Sequence, residues 1–81
     1  MKYIIIKATW QSKPEAITFP DGIIHKCVAR SVMCMDSYDI LSAGFCDKTY
    51  RAYGESTSMK IKSRPEEDTK ILRRIFIDEF Y

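Results

Sequence analysis

From Lys2 to Trp10 the chain alternates, setting Ile4, Ile6, Ala8 and Trp10 on one side of a strand and Tyr3, Ile5, Lys7 and Thr9 on the other. Both sides are apolar near the middle, so the pattern predicts a strand covered on both faces and central in its sheet. Gln11-Ser12-Lys13-Pro14 predicts a polar turn, and Glu15 to Phe19 a short strand pairing back as a hairpin, ended by Pro20-Asp21-Gly22. Residues 21 to 32 admit two readings, because Pro-Asp-Gly closes hairpins and Asp21 can cap a helix. Periodicity favours the helix. Ile24, Cys27, Val28, Ser31 and Val32 then share one face, with Lys26 and Arg30 opposite, whereas neither face of a strand is consistently apolar.

Tyr38 to Cys46 reads as a strand, Asp47-Lys48 as a turn and Thr49 to Gly54 as the returning strand, with a further short strand at Ser58 to Lys62. These are expected to form one meander. Ser63-Arg64-Pro65-Glu66 fits a capping box with proline in the first turn, followed by an apolar stripe of Ile71, Leu72, Ile75 and Phe76 that must pack on the sheet. The apolar tail Ile77 to Tyr81 is expected to dock on the core or on another subunit. The expected fold class is α+β: an antiparallel sheet of four to five strands packed with two helices, the second C-terminal.

Length narrows this to one domain, since 81 residues lie near the lower limit for a single hydrophobic core. A composition of 46% hydrophobic and 12% aromatic residues excludes a disordered tail. The net charge of +2 speaks against a grip on duplex nucleic acid and leaves room for a small anionic ligand. No apolar run approaches the roughly 20 residues that span a bilayer, and no signal-peptide pattern follows Met1, so the expected location is the cytoplasm. Cys27, Cys34 and Cys46 are odd in number and widely spaced, which predicts reduced, semi-buried thiols and not a disulfide framework or a zinc pair.

Little in the chain points to catalysis. On a helix His25 and Cys27 would point roughly 200° apart, so Cys27 is read as core and His25 as a hydrogen-bonded structural or ligand-touching residue. Glu66, Glu67 and Asp68 sit at a helix N-terminus, where the dipole lowers carboxyl pKa values, and read as capping and solubility; Asp36 and Asp39 flank a turn. With no phosphate loop, nucleophile elbow or metal-ligand spacing, neither an enzyme nor a cofactor or metal is expected.

The stretch from Tyr50 to Arg64 carries more. It interleaves Tyr50 and Tyr53 with Arg51, Lys60, Lys62 and Arg64 and with several hydroxyls, which suits a nucleotide-like ligand: rings for the base, cations for phosphate, hydroxyls for phosphate or ribose. An ordinary exposed sheet face has the same composition, and Gly54 then marks a bulge. Arg64 lies in the first turn of a helix, where the dipole disfavours a cation. It therefore needs a partner, either Glu67 or Asp68 or a bound anion.

Phe19-Pro20-Asp21 with Ile24-His25, Ser42-Ala43-Gly44-Phe45, Gly54-Glu55-Ser56 with Ser58, and Ser63-Arg64-Pro65-Glu66-Glu67-Asp68 together resemble a group of short bacteriophage and prophage proteins. The resemblance covers most of the chain from Phe19 onward. By analogy with small phage counter-defence factors, it implies an anti-defence sponge that sequesters nucleotide immune signals, of the cyclic ADP-ribose type (Thoeris) or the cyclic oligonucleotide type (CBASS). On that reading Arg64 and Arg51 meet phosphate, and Ser42, Ser56 and Ser58 supply hydroxyl contacts. Phe19, Phe45 or Tyr53 stacks, and His25 donates a hydrogen bond. A chain this small offers little concave surface, so a homo-oligomer with the pocket between subunits is a linked expectation. The alternative is a protein-binding inhibitor of a host enzyme, docking through a sheet edge or through Phe80 and Tyr81. Single-stranded nucleic acid on the Tyr50 to Lys62 face is a third reading, weakened by the modest charge.

Overall fold

The computed structural model describes residues 1–10, 12–33 and 38–77. Its centre is β1 (Lys2–Ala8), whose Tyr3, Ile4 and Ile5 are completely buried. β1 pairs antiparallel with β2 (Glu15–Phe19) on one side and with β3 (Tyr38–Cys46) on the other; the short β4 (Ala52–Tyr53) extends the sheet beyond β3 in the order β2-β1-β3-β4. The fold is α+β, as the pattern predicts.

The alternation of β1 divides the core into two layers. Ile4 and Ile6 pack with Phe19, Ala29 and Val32 beneath α1 (His25–Met33), while Tyr3 and Ile5 pack with Cys46, Ala52 and Leu72 beneath α2 (Pro65–Phe76). The two helices therefore cover opposite faces of the sheet. A bulge between Ile5 and Ile6 leaves Leu41 without a partner across the ladder, so that Ser42 stands opposite Ile5, on the α2 face.

Five local expectations change. The expected single meander is broken, because β5 (Glu55–Ser56) and β6 (Ile61–Lys62) form their own two-stranded sheet packed against β3. The returning strand shortens to Ala52–Tyr53. Asp47 Oδ1 accepts the N–H groups of Thr49 and Arg51 and the Thr49 hydroxyl, and Tyr50 takes a left-handed φ of 62°, so this stretch is a built turn. Helix α1 begins at His25, so its buried line runs through His25, Ala29 and Val32; Cys27, read as core, is exposed, as is Ile24. Trp10, assigned to the apolar face of β1, lies past its end and is 67% exposed.

The fifth concerns α2. Ser63 is not its cap, since its hydroxyl donates to the Gly54 carbonyl at 2.7 Å. Arg64 takes the cap position, and Asp68 Oδ2 accepts the Arg64 N–H at 2.9 Å. Of the predicted stripe only Leu72 is fully buried, and Asp68 one turn earlier completes the buried line; Ile75 and Phe76 remain partly exposed. Cys34, Asp36, Phe80 and Tyr81 lie outside the described residues. No helix among the described residues is long and apolar enough to cross a membrane.

Candidate functional site

Two polar clusters contain most of the residues singled out in the sequence, one on each face of the sheet. The first centres on Asp68, whose carboxylate is completely buried beneath α2. The Tyr3 hydroxyl donates to its Oδ2, the Ser42 hydroxyl donates to Oδ1 at 2.8 Å, and Arg64 adds its backbone N–H and a guanidinium ion pair at 3.1 Å. Glu67 pairs with the other end of that guanidinium at 3.0 Å. Both partners proposed for Arg64 are thus present within the protein. Burial first, and then the hydrogen bond to Asp68 and its charge, push the Tyr3 phenol far above its ordinary range. Ser42 and Arg64 are held by this cluster, where they tie β1, β3 and α2 together.

The second cluster surrounds His25 on the α1 face. Because His25 opens α1 and is only 3% exposed, its ring lies against the sheet, and Nε2 donates to the Gly44 carbonyl at 2.8 Å. That bond places the proton on Nε2 and leaves Nδ1 as an acceptor. Burial lowers the His25 pKa and nearby Lys2 lowers it further, while the Gly44 carbonyl pulls the other way; the net direction is down. The imidazole is therefore neutral at neutral pH.

Aromatic rings frame the histidine. Phe19 and Phe45 meet it edge to face, with centroids 5.3 and 5.8 Å away, and Phe45 in turn stacks on Tyr53 at 5.9 Å. Register explains the grouping, since Phe45 stands opposite Lys2 on one side and Tyr53 on the other. Two glycines permit the close approach. A Cβ on Gly44 would meet the Tyr53 carbonyl oxygen at 2.7 Å, and Gly54, at φ 74°, faces the Phe45 ring where a Cβ would come within 3.1 Å.

The cleft beside these rings encloses about 340 Å³ and is lined by Lys2, His25, Phe45, Glu55, Thr57 and Ser58, with Ile24 at its rim. Lys2 Nζ donates to the Ile23 carbonyl at 2.8 Å and lies 6.0 Å from the centre of the Phe45 ring. The cleft thus offers one aromatic ring, Phe45, on which the exposed Tyr53 stacks, together with an ammonium, a carboxylate, an imidazole and two hydroxyls.

Of the sequence-predicted residues, His25, Phe45 and Ser58 line this cleft, while Phe19 packs on the His25 ring and Tyr53 on the Phe45 ring. Ser56 is adjacent but buried, its hydroxyl 3.4 Å from that of Ser58 and accepting the Met59 N–H at 3.3 Å. Ser42 and Arg64 belong to the Asp68 cluster, and Arg51 lines a different groove beside α2. Sequence reasoning missed Lys2, Glu55, Thr57 and Asp68. Lys2 is the charged residue on the apolar line Lys2, Ile4, Ile6, and Asp68 lies four residues before Leu72 on the buried line of α2. Both were signals available in the pattern.

No protein-family model, no curated protein and no solved structure matches the chain.

Proposed function

We propose that the protein is a non-enzymatic binding protein of phage type that captures a nucleotide-derived signalling molecule in the His25 cleft and so serves immune evasion. The observation that supports the reading is convergence: His25, Phe45 and Ser58 come from separate segments and line one cleft, and Phe19 and Tyr53 pack on its His25 and Phe45 rings. A base stacks on Tyr53, Lys2 draws phosphate, and Glu55, Thr57, Ser58 and His25 Nδ1 bond to ribose and base edges. The phage and anti-defence part of the proposal rests on the sequence resemblance. At about 340 Å³ the cleft is small for a dinucleotide. A second copy against the exposed apolar rim of Ile23, Ile24 and Tyr53 would complete it, so a homo-oligomer belongs to the proposal.

The test is a thermal-shift screen against ADP-ribose derivatives, cyclic ADP-ribose isomers and cyclic di- and trinucleotides, with chromatography of ligand released on heat denaturation. A ligand at a hundredfold its Kd stabilises by roughly 2.7 kcal/mol, a shift on the order of 10 °C for a domain this small. Intact ligand released supports a sponge, and altered ligand makes the protein an enzyme. No shift across the panel ends the nucleotide reading.

One observation favours a second reading, inhibition of a protein partner. β2 is an edge strand of the four-stranded sheet, and such an edge offers a template for strand addition. A blank ligand screen with capture of one host protein, lost on disrupting β2, would establish it.

A further inference from the structure

On the face of the sheet opposite the His25 cleft, α2 and the turn between β3 and β4 enclose a groove of about 630 Å³. Arg51 and Ala52 form one wall, and Glu66, Thr69, Lys70 and Arg73 form the other. Three cations face one acid, and among the described residues neither Arg51 nor Lys70 enters an ion pair. On a helix that places Glu66 four residues before Lys70, such a pair would ordinarily form.

The walls are fixed before any ligand arrives. Asp47 Oδ1 accepts the Arg51 N–H at 3.0 Å, and the Asp47 N–H donates back to the Arg51 carbonyl at 3.2 Å. Tyr50, in the left-handed region, is anchored by stacking on Phe76 with ring centres 5.2 Å apart, which directs the next residue, Arg51, outward beside the helix. Arg73 Nε donates to the Thr49 carbonyl at 3.0 Å, tying the helix to the same turn. Thr69 Oγ1 accepts the Ala52 N–H at 2.9 Å, so its own proton is left for another acceptor. Apart from Glu66, every polar side chain presented to the groove is therefore a donor.

We propose that this groove is a second binding site, for a small molecule carrying two linked phosphates. Lys70 and Arg73 are neighbours on one helix face, roughly 5–6 Å apart at Cβ, and Arg51 stands on the facing wall. A groove of about 630 Å³ is larger than one oxyanion fills, and two linked phosphates offer acceptors to Arg51, Thr69, Lys70 and Arg73 together. Arginine forks and the Thr69 hydroxyl suit the peripheral phosphate oxygens, and the ammonium of Lys70 adds charge without demanding one orientation. The site is independent of the His25 cleft, which lies on the other face and shares none of its lining residues.

The experiment is a titration of the full chain, labelled with nitrogen-15, by sodium diphosphate at constant ionic strength, with orthophosphate, ADP, AMP and a single-stranded oligonucleotide as parallel arms. Saturable amide shifts are expected at Arg51, Ala52, Thr69, Lys70 and Arg73, with diphosphate and ADP binding about tenfold more tightly than orthophosphate and AMP. Arg51→Glu and Lys70→Glu, both at exposed positions, should each weaken diphosphate binding about tenfold and leave the melting temperature nearly unchanged. Equal binding of diphosphate and orthophosphate would overturn the proposal. So would shifts scattered over cations elsewhere, ADP shifts confined to the His25 cleft, or binding unchanged in both variants. An oligonucleotide that outcompetes diphosphate with steep salt dependence would overturn it as well, by assigning the groove to a nucleic-acid backbone.

Discussion

The Asp68 cluster and the His25 cleft use similar parts to opposite ends. Each sets a titratable group against the central strands, borrows a partner from β3 and stands at the start of a helix. Around Asp68, every carboxylate oxygen is met from within: Tyr3 from β1, Ser42 from β3 and Arg64 from the helix cap. Around His25 one nitrogen is met by Gly44, and the surroundings open into a cleft with further unspent donors and acceptors. A buried polar group whose bonds all close inward holds a fold together; one that keeps a face open has something left to bind.

The largest effect should come from Asp68→Ala. It strands the Tyr3 and Ser42 hydroxyls and the inner end of Arg64, so a loss of about 3–5 kcal/mol is expected, comparable with the whole stability of a marginal domain. Urea unfolding followed by circular dichroism measures it. A loss below about 1 kcal/mol would mean that the cluster relaxes freely and the contrast between the two regions is false.

The two regions should also govern opposite ends of the pH range. Burial depresses the His25 pKa below 6.5, so on acidification the unfolded chain takes up the proton first. His25 therefore costs nothing above about pH 6.5, and stability is lost as pH falls through that value towards its folded pKa. Tyr3 behaves in reverse. Its pKa is raised above 10.0, so its contribution is complete below that value and is lost as pH rises beyond it, when the unfolded phenol ionises first. His25→Gln should flatten the acid limb of a stability profile, and Tyr3→Phe the alkaline limb. Unfolding midpoints measured across the range test both; identical limbs in wild type and variants would remove the assignment.

A smaller structural effect, with a large functional one, is expected of Tyr53→Ala. Tyr53 is 52% exposed, so its removal should change stability by no more than about 1 kcal/mol. It should nonetheless abolish the thermal shift given by any ligand of the His25 cleft. If ligand stabilisation survives in this variant and in Lys2→Met alike, the aromatic wall is not the binding surface.

How far the sequence disclosed these two regions depended on whether the signal was local. β1 was legible as central because both of its faces are apolar, and β2 and β3 fall where alternation and turn residues set them. The start of α2 was legible from its proline and acids, though one residue out of frame, because Gly54 takes the Ser63 hydroxyl. Phe19, His25, Phe45, Tyr53 and Ser58 were each named, yet the register that assembles them is a property of pairing between distant strands. Asp68 was misread as solvated. An acid in the first turn of a helix has the same local signature whether or not it is buried; what buries it is Tyr3, 65 residues away, and Ser42, 26 away. The separation of α1 and α2 onto opposite faces is equally non-local, and it is what divided one expected ligand set between the two faces of the sheet.

The smallest predicted effect tests the local limit of that legibility. Cys27 and Cys46 carry the same side chain, and spacing alone made both semi-buried. Because α1 begins at His25, position 27 turns to solvent, whereas Cys46 closes the layer beneath α2 at 1% exposure. Burial also raises the Cys46 pKa, which suppresses the thiolate that thiol reagents attack. In a Cys34→Ser background, native protein should therefore react rapidly at Cys27 alone, and Cys46 only after unfolding. Cys27→Ser should alter stability by no more than about 0.5 kcal/mol, as for a surface position. Rapid native labelling of Cys46 would mean that the layer joining Tyr3, Leu72 and the Asp68 cluster opens readily. That outcome would sharpen the comparison in the other direction, since the region whose bonds all close inward would then be the less rigid of the two.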